Sequence, residues 1–203
     1  MKRQRASISA PCQSYFLTTT VTDFTNIFQH QETAGIMLTN IGFYLRQFKA
    51  SLHAFVIMPN HIHLLVTMGE NGTVSQFMGR IKEYSAKQII KWCETNACND
   101  MLTKFSASAE KNMPEHHYQV WQARFDDLLI RTDKMYLIKT EYIHNNPLQE
   151  RWQLAKTPEE YSLSSARFYL RGEDCGIPIV RHPAFAVTRV SNCLTHEASP
   201  VGG

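Results

Sequence analysis

The sequence is as informative for what it lacks as for what it holds. No apolar run in its 203 residues approaches the ~20 that a membrane helix needs. The start, "MKRQRASISAPCQSYF", is basic but has no apolar core, so it does not read as a signal peptide. The phosphate-cradling pattern G-x-x-x-x-G-K-[ST] is absent. No acid occurs before Asp23, while Lys2, Arg3 and Arg5 crowd the first five positions. Such an arm (1–13) either touches a polyanion or stays solvated, as chain ends do by default. Five cysteines, Cys12, Cys93, Cys98, Cys175 and Cys193, are odd in number and scattered. That pattern argues against a disulfide framework or a zinc site and for reduced thiols in a cytoplasmic protein.

What is present is ordinary in bulk. A hydrophobic content of 43% and a charged content of 19% suit one globular domain, and the net charge of +3 says little about partners. "SYFLTTTVTD" (14–23) is β-branched and aromatic and predicts a strand. Met37, Ile41, Tyr44, Leu45 and Phe48 recur at helical spacing across 33–50. Two apolar strands follow, at 52–58 and 61–68, separated only by the turn residues "PN". "TVSQ" has the capping-box form, so a second helix starts at Thr73, with Gln76 at its third position. Residues 97–116 are polar and aperiodic and read as a loop. "YQVWQARF" reads as a further strand, and Thr132 caps a third helix over 133–146, which Pro147 stops. From about Gly172 the composition predicts a weakly ordered tail (171–203). Strand, helix, strand, strand, helix, strand, helix suits an α+β fold: one antiparallel sheet with helices on one face, in the ferredoxin-like βαββαβ order. There is no internal repeat and no second domain.

The chemistry-bearing residues sit in "MPNHIHLLV" and "EYIHNNP". Strand side chains alternate, so His61 and His63 share a face, with Cα atoms about 6.5–7 Å apart. They are either satisfied core histidines or two ligands of one metal. Tyr142 and Asn146, four apart on a helix, share a face about 6 Å apart along the axis. A phenol and an amide oxygen can therefore both face an ion held by the histidines. The residue before a proline is pushed out of the α region, so Asn146 is expected at a frayed helix end. The plainer alternative packs Tyr142 in the core and uses Asn146 as a C-terminal cap. Arg80, Lys87 and Lys91 form a narrow stripe on the second helix, either a solvated face or a phosphate contact.

"MPNHIHLLV", "WQARF" and "EYIHNNP", in this order, resemble the single-tyrosine HUH transposases, and most closely the REP-associated tyrosine transposases. "SLSSARFYL" is similar to the serine-rich segment that follows the catalytic helix in that family, and the likeness covers residues 14–170. The resemblance implies His61 and His63 as the histidine pair on a central strand, Tyr142 as nucleophile and Asn146 as third metal ligand. It implies single-stranded DNA near palindromic hairpins as substrate, a 5′-phosphotyrosine link and a freed 3′-OH. A phenol is only ~0.1% ionised at pH 7, so its ionisation needs about 4 kcal/mol of help or removal of its proton during attack. A divalent ion on a non-bridging phosphate oxygen offsets charge build-up. Imidazole plus amide oxygen suits Mn²⁺ or Mg²⁺, with zinc a third option. A tyrosyl phosphodiester keeps the bond's energy, so rejoining needs no nucleotide, which agrees with the missing triphosphate loop.

The sequence also departs from the family pattern. "RFDDLL" keeps an acid at Asp127, where it could orient a metal-ligating histidine, but lacks the usual aromatic and histidine. Arg151 stands where the family commonly has glycine. Lys82, Arg124 and Arg131 join Arg80, Lys87 and Lys91 as candidate DNA contacts. The readings to weigh are therefore a metal-dependent strand transferase, a hairpin-binding protein that has lost cleavage, and a small metallohydrolase. Relatives imply a monomer, or a homodimer that exchanges the tyrosine helix.

Overall fold

A computed structural model describes residues 12–183. Four strands form one antiparallel sheet: β1 (Ser14–Thr20), β2 (Ser51–Met58), β3 (His61–Thr67) and β4 (Asp126–Ile130), in the order β2-β3-β1-β4. β1 and β2 are parallel to each other because each is antiparallel to β3, which lies between them. The crossover α1 (Gln31–Gln47) and the later α2 (Val74–Thr95) cover one face, packing Met37, Ile41, Phe77 and Ile81 on Leu17, Ile62, Leu64 and Val66. This is the split βαβ arrangement that the sequence predicts. One addition departs from it. The helix α4 (Asp133–Asn145) packs on the opposite face, with Tyr136 and Ile143 against Phe16, Ala54, Val56, Met58 and Leu65. The expectation of helices on one face therefore holds for the βαββαβ unit and fails for α4. The sheet is apolar on both faces at its centre, so both faces must be covered.

Local chemistry explains most of the boundaries. Thr73 Oγ1 accepts from Gln76 N (3.2 Å) and Gln76 Oε1 accepts from Thr73 N (2.9 Å), the capping box read from "TVSQ". Thr132 Oγ1 accepts from Met135 N at 3.2 Å, fixing the start of α4. Two segments differ from expectation. Residues expected to form a loop hold a helix, α3 (Asn99–Asn112), whose buried residues are Phe105, Ser108 and Ala109. Met101, Leu102 and Phe105 mark that face over its first turns, but Ser108 and Ala109 continue it, so the apolar stripe is short. "YQVWQARF" forms only a single bridge, Trp121 with Val21, and the ladder is made by the next segment, β4. The Lys82 ammonium donates to the carbonyls of Gln122 (2.7 Å) and Ala123 (3.3 Å), and Trp121 Nε1 donates to Ser85 Oγ (3.1 Å). These side-chain partners replace a strand ladder.

The outer edge of β2 is closed by the chain that follows α4. Ile57 N donates to Leu163 O (2.9 Å) and Ser165 N to Phe55 O (3.0 Å). Further along, Val180 N donates to Leu52 O at 2.8 Å, and Cys175 and Ile177 are buried. Residues 172–180, expected to begin a loose tail, thus cover a sheet edge that would otherwise expose unpaired backbone groups. The basic arm 1–11 and the tail from 184 lie outside the described residues. Among the described residues Cys12, Cys93, Cys98 and Cys175 are free thiols, and no helix is long and apolar enough to cross a membrane.

Two histidines in this framework are buried and neutral. His144 Nε2 lies 2.9 Å from Ser165 Oγ, and burial pushes its pKa down to about 4. His53 bonds Val180 O and Thr67 Oγ1, and burial also lowers its pKa. The unfolded chain therefore binds more protons than the folded one below pH ~6.5. Stability is fully present above that pH and is lost as the pH falls towards 4, with His144 alone accounting for about 3 kcal/mol. The urea midpoint of metal-free protein should drop steadily from pH 7 to pH 4.5. A midpoint indifferent to pH over that range would contradict the burial argument.

Candidate active site

The strand period puts His61 and His63 on the face of β3 that looks towards α4. His63 lies across from Thr18 on β1 and Val56 on β2, and His61 across from Thr20 and Met58. Both imidazoles are buried, at 7% and 4% exposure, with ring centroids 4.9 Å apart. Each has its Nδ1 engaged. His61 Nδ1–H donates to Asn60 Oδ1 (2.8 Å), whose own Nδ2 donates to Phe24 O (3.0 Å). His63 Nδ1 lies 2.8 Å from Thr18 Oγ1, while its buried Nε2 has no hydrogen-bond partner. Burial is the main cause that lowers the pKa of His61 to about 4 and that of His63 to about 3. The charge of Arg151 adds to both, and those of His61 and Lys139 add to His63. At neutral pH the pair therefore offers lone pairs, not charge.

α4 brings the other two residues to this face. The Tyr142 ring lies 5.3 Å from that of His63 and 5.8 Å from that of Phe16, and its side chain is 38% exposed. It is no core residue. Asn146 is fully buried beside His61, close enough for its amide to oppose part of the fall in that histidine's pKa, but neither Oδ1 nor Nδ2 meets full hydrogen-bond geometry, so its side chain caps nothing. Its backbone stays in the α region (φ −57°, ψ −43°) despite the following proline, against the frayed end expected from sequence. Asn146 instead opens a 3₁₀ turn, Asn146–Leu148, directly after α4. Among the described residues no third His, Cys, Asp or Glu joins the histidine pair. A divalent cation would thus find two neutral imidazoles and one amide oxygen, each ring already oriented through its second nitrogen, a donor set that suits such an ion.

Other expected residues lie elsewhere. Asp127 is paired with Leu17, which puts it on the α1–α2 face, away from the histidines. Asp126, paired with Thr18, is the acid on the histidine face. The expected support of the histidines by Asp127 therefore fails on strand parity, since neighbouring residues point to opposite faces. α2 also packs on that far face, so Arg80, Lys87 and Lys91 lie across the sheet from the pair. Arg80 and Lys87 both pair with Glu83 (3.0 and 2.8 Å). Lys82 is half-buried on its two carbonyls, and burial lowers its pKa to about 8. Arg124 and Arg131 are exposed and flank β4.

Several neighbours were not anticipated. Phe16 stacks on His63 at 5.2 Å and Trp152 lies 5.8 Å from His61. Lys139 sits over the Phe16 and Tyr142 rings, and Arg151 over the Trp152 ring. Helical spacing from Tyr142 could have found Lys139, and strand parity Phe16 and Thr18. Trp152 and Arg151 return through a turn that no periodicity predicts.

Residues 25–146 match the family described as IS200-like transposases. The chain belongs to this family. The matched span holds both histidines, Tyr142 and Asn146. This IS200-like transposase is 27% identical over 150 residues to an uncharacterised protein of Haemophilus influenzae, covering 66% of this chain and 79% of that one. It also shares its fold with a solved REP-associated tyrosine transposase bound to a REP hairpin, with a TM-score of 0.59 and 20% identity. That likeness covers 91% of this chain and 96% of the other.

The buried amide of the transposase carries a thermodynamic consequence. A buried polar group without a good partner costs about 1–3 kcal/mol, and leucine keeps the branching at Cγ although its methyl groups are bulkier than the amide's atoms. Asn146→Leu should therefore raise the stability of the metal-free protein by up to about 1 kcal/mol, the relief of the polar group less the packing strain, read as a higher urea midpoint. A lower midpoint would mean that the amide has a partner after all.

Proposed function

We propose that this IS200-like transposase is a metal-dependent endonuclease and strand transferase acting on single-stranded DNA beside a hairpin. The observation that carries the reading is the meeting of an exposed tyrosine with two neutral, pre-oriented histidines and a buried amide on one face of the sheet. The hairpin bound by the REP-associated relative of the same fold points to a palindromic DNA partner.

In this reading His61, His63 and Asn146 would hold Mg²⁺ or Mn²⁺. The ion, when bound, supplies charge to a non-bridging phosphate oxygen and helps align the phosphate. The residues do the rest. Asn60 and Thr18 keep each imidazole turned so that Nε2 faces the site. Tyr142, on the rigid α4, presents its hydroxyl in line with the scissile P–O3′ bond. As its oxygen bonds to phosphorus the phenolic proton leaves, and the departing 3′-oxygen takes up a proton from solvent. The products are a 5′-phosphotyrosine and a free 3′-OH. Because the new diester retains the bond's energy, attack by another 3′-OH reverses the step and joins a different strand.

Labelled single strands bearing a hairpin, incubated with Mn²⁺ or Mg²⁺, should give a denaturation-resistant protein–DNA adduct. Tyr142→Phe should abolish the adduct, and His63→Ala should lower its yield by about 100-fold or more and weaken Mn²⁺ binding. Undiminished adduct in the tyrosine variant would overturn the assignment. Tight hairpin binding without adduct at any metal concentration would favour the hairpin-binding protein that has lost cleavage.

A further inference from the structure

Two cations frame the histidine pair, and among the described residues neither has a counter-ion there. Lys139 Nζ lies 4.6 Å from the centroid of Phe16 and 5.3 Å from that of Tyr142, one helical turn before the tyrosine. Phe16 in turn stacks on His63. On the other side, Arg151 Cζ lies 5.5 Å from the Trp152 centroid, and Trp152 lies against His61. The rings therefore run Phe16, His63, His61, Trp152 across the site, with a cation seated over each end.

Among the described residues, neither Lys139 nor Arg151 makes an ion pair with an acid, unlike Arg80, Lys87 and Arg171. Asp126 is on the same face across β1, but the charges felt by the two imidazoles are the cations, Arg151 at both and Lys139 at His63. Two cations beside a neutral pair leave the surface positive, and such a surface seeks an anion. We propose that Lys139 and Arg151 form a two-cation seat for a backbone phosphodiester of the substrate strand. The proposal deepens the strand-transfer reading and rests on it.

The two side chains suit different parts of that task. The lysine is a compact point charge held beside the nucleophile, where it can offset the negative charge that builds on phosphorus as Tyr142 Oη bonds and O3′ departs. The arginine guanidinium sits over an indole, which leaves its planar N–H fork free for two phosphate oxygens. Arg151 also stands where the family commonly has glycine, so this half of the seat belongs to this chain. The cation–π contacts restrict both side chains before substrate arrives, so less freedom is lost on binding.

Single-turnover adduct formation on the hairpin-bearing strands tests the seat. Lys139→Gln and Arg151→Gln should each slow it by about tenfold or more, with hairpin affinity changed by less than about threefold and Mn²⁺ affinity unchanged. Lys139→Arg should recover part of the rate and Arg151→Lys should not, because only arginine offers the fork. Wild-type rates in both glutamine variants would overturn the seat and leave Tyr142 as nucleophile untouched. If wild type forms no adduct, the strand-transfer reading fails and the seat is read with the dinucleotide TpT. Imidazole C–H resonances of His61 and His63 should then shift with TpT in wild type and stay fixed in the double glutamine variant. No shift in wild type, or equal shifts in both proteins, would overturn it. Matching urea midpoints establish that the variants fold.

Discussion

Everything at the candidate site depends on α4 lying across the face of the sheet that carries His61 and His63. That face is made cohesive by Phe16, Ala54, Val56, Met58 and Leu65, which receive Tyr136 and Ile143. Burying these side chains draws the helix down, at roughly 25 cal/mol per Å² of apolar surface removed from water. Its polar fastening is specific. Ser165 Oγ accepts from Phe55 N (3.0 Å) and meets His144 Nε2, so one hydroxyl links α4 to the edge of β2. His144 lies two residues from Tyr142, and this link therefore sets the rotation of the helix about its axis. A helix turned by one residue, about 100°, would point the phenol away from the histidines.

The packing that assembles the site also leaves it electrostatically incomplete. Two imidazoles are buried without charge, an amide is buried short of full hydrogen-bond geometry, and, among the described residues, two cations stand over aromatic rings without an ion-paired acid. Native interiors seldom leave buried polar atoms unpaired. Three such atoms, His63 Nε2 and both ends of Asn146, meet at one site, while Thr19 Oγ1 and Arg167 Nε are unpaired elsewhere. A cost concentrated in one place is what a ligand can repay, since an ion or a phosphate that meets these atoms restores the missing interactions. Stability and site chemistry therefore pull Asn146 in opposite directions.

The sequence revealed the parts of this site that repeat with a period. Alternation along "HIHLLV" set the histidines on one face, and the four-residue step from Tyr142 to Asn146 set both on one side of α4. The sheet order followed from counting elements. Features that depend on partners chosen across the fold were hidden. α3 has only a short apolar stripe, Met101, Leu102 and Phe105, before Ser108 and Ala109, and "YQVWQARF" has strand composition but gives two carbonyls to Lys82. Asp127 shows how narrow the margin is. The sequence shows an acid at that point in the chain, yet strand register decides its face, and a shift of one residue reverses the answer. Arg151 lay beyond reach for another reason, because only the turn after Pro147 returns it to the histidines.

That turn is where helix termination and site construction become one event. Proline cannot continue α4, and it crowds the residue before it, so a helical Asn146 carries a steric cost. The chain accepts the cost and runs through a 3₁₀ turn, Asn146–Leu148, in place of a fraying end. Two consequences follow from the same backbone path. Asn146 keeps the helical direction of its side chain and remains on the face of Tyr142, inside the protein. The turn then closes on itself, with Trp152 N donating to Gln149 O (2.8 Å) and Leu154 N to Pro147 O (2.9 Å). That closure sets Trp152 against His61 and Arg151 over Trp152. Had Asn146 taken the extended conformation favoured before proline, its amide would leave the helical face and the chain would depart in another direction. The buried amide, the indole and the guanidinium would then be lost from the site together. Pro147 therefore acts by constraint alone: it ends the helix at the one residue where the turn can carry all three to the histidines.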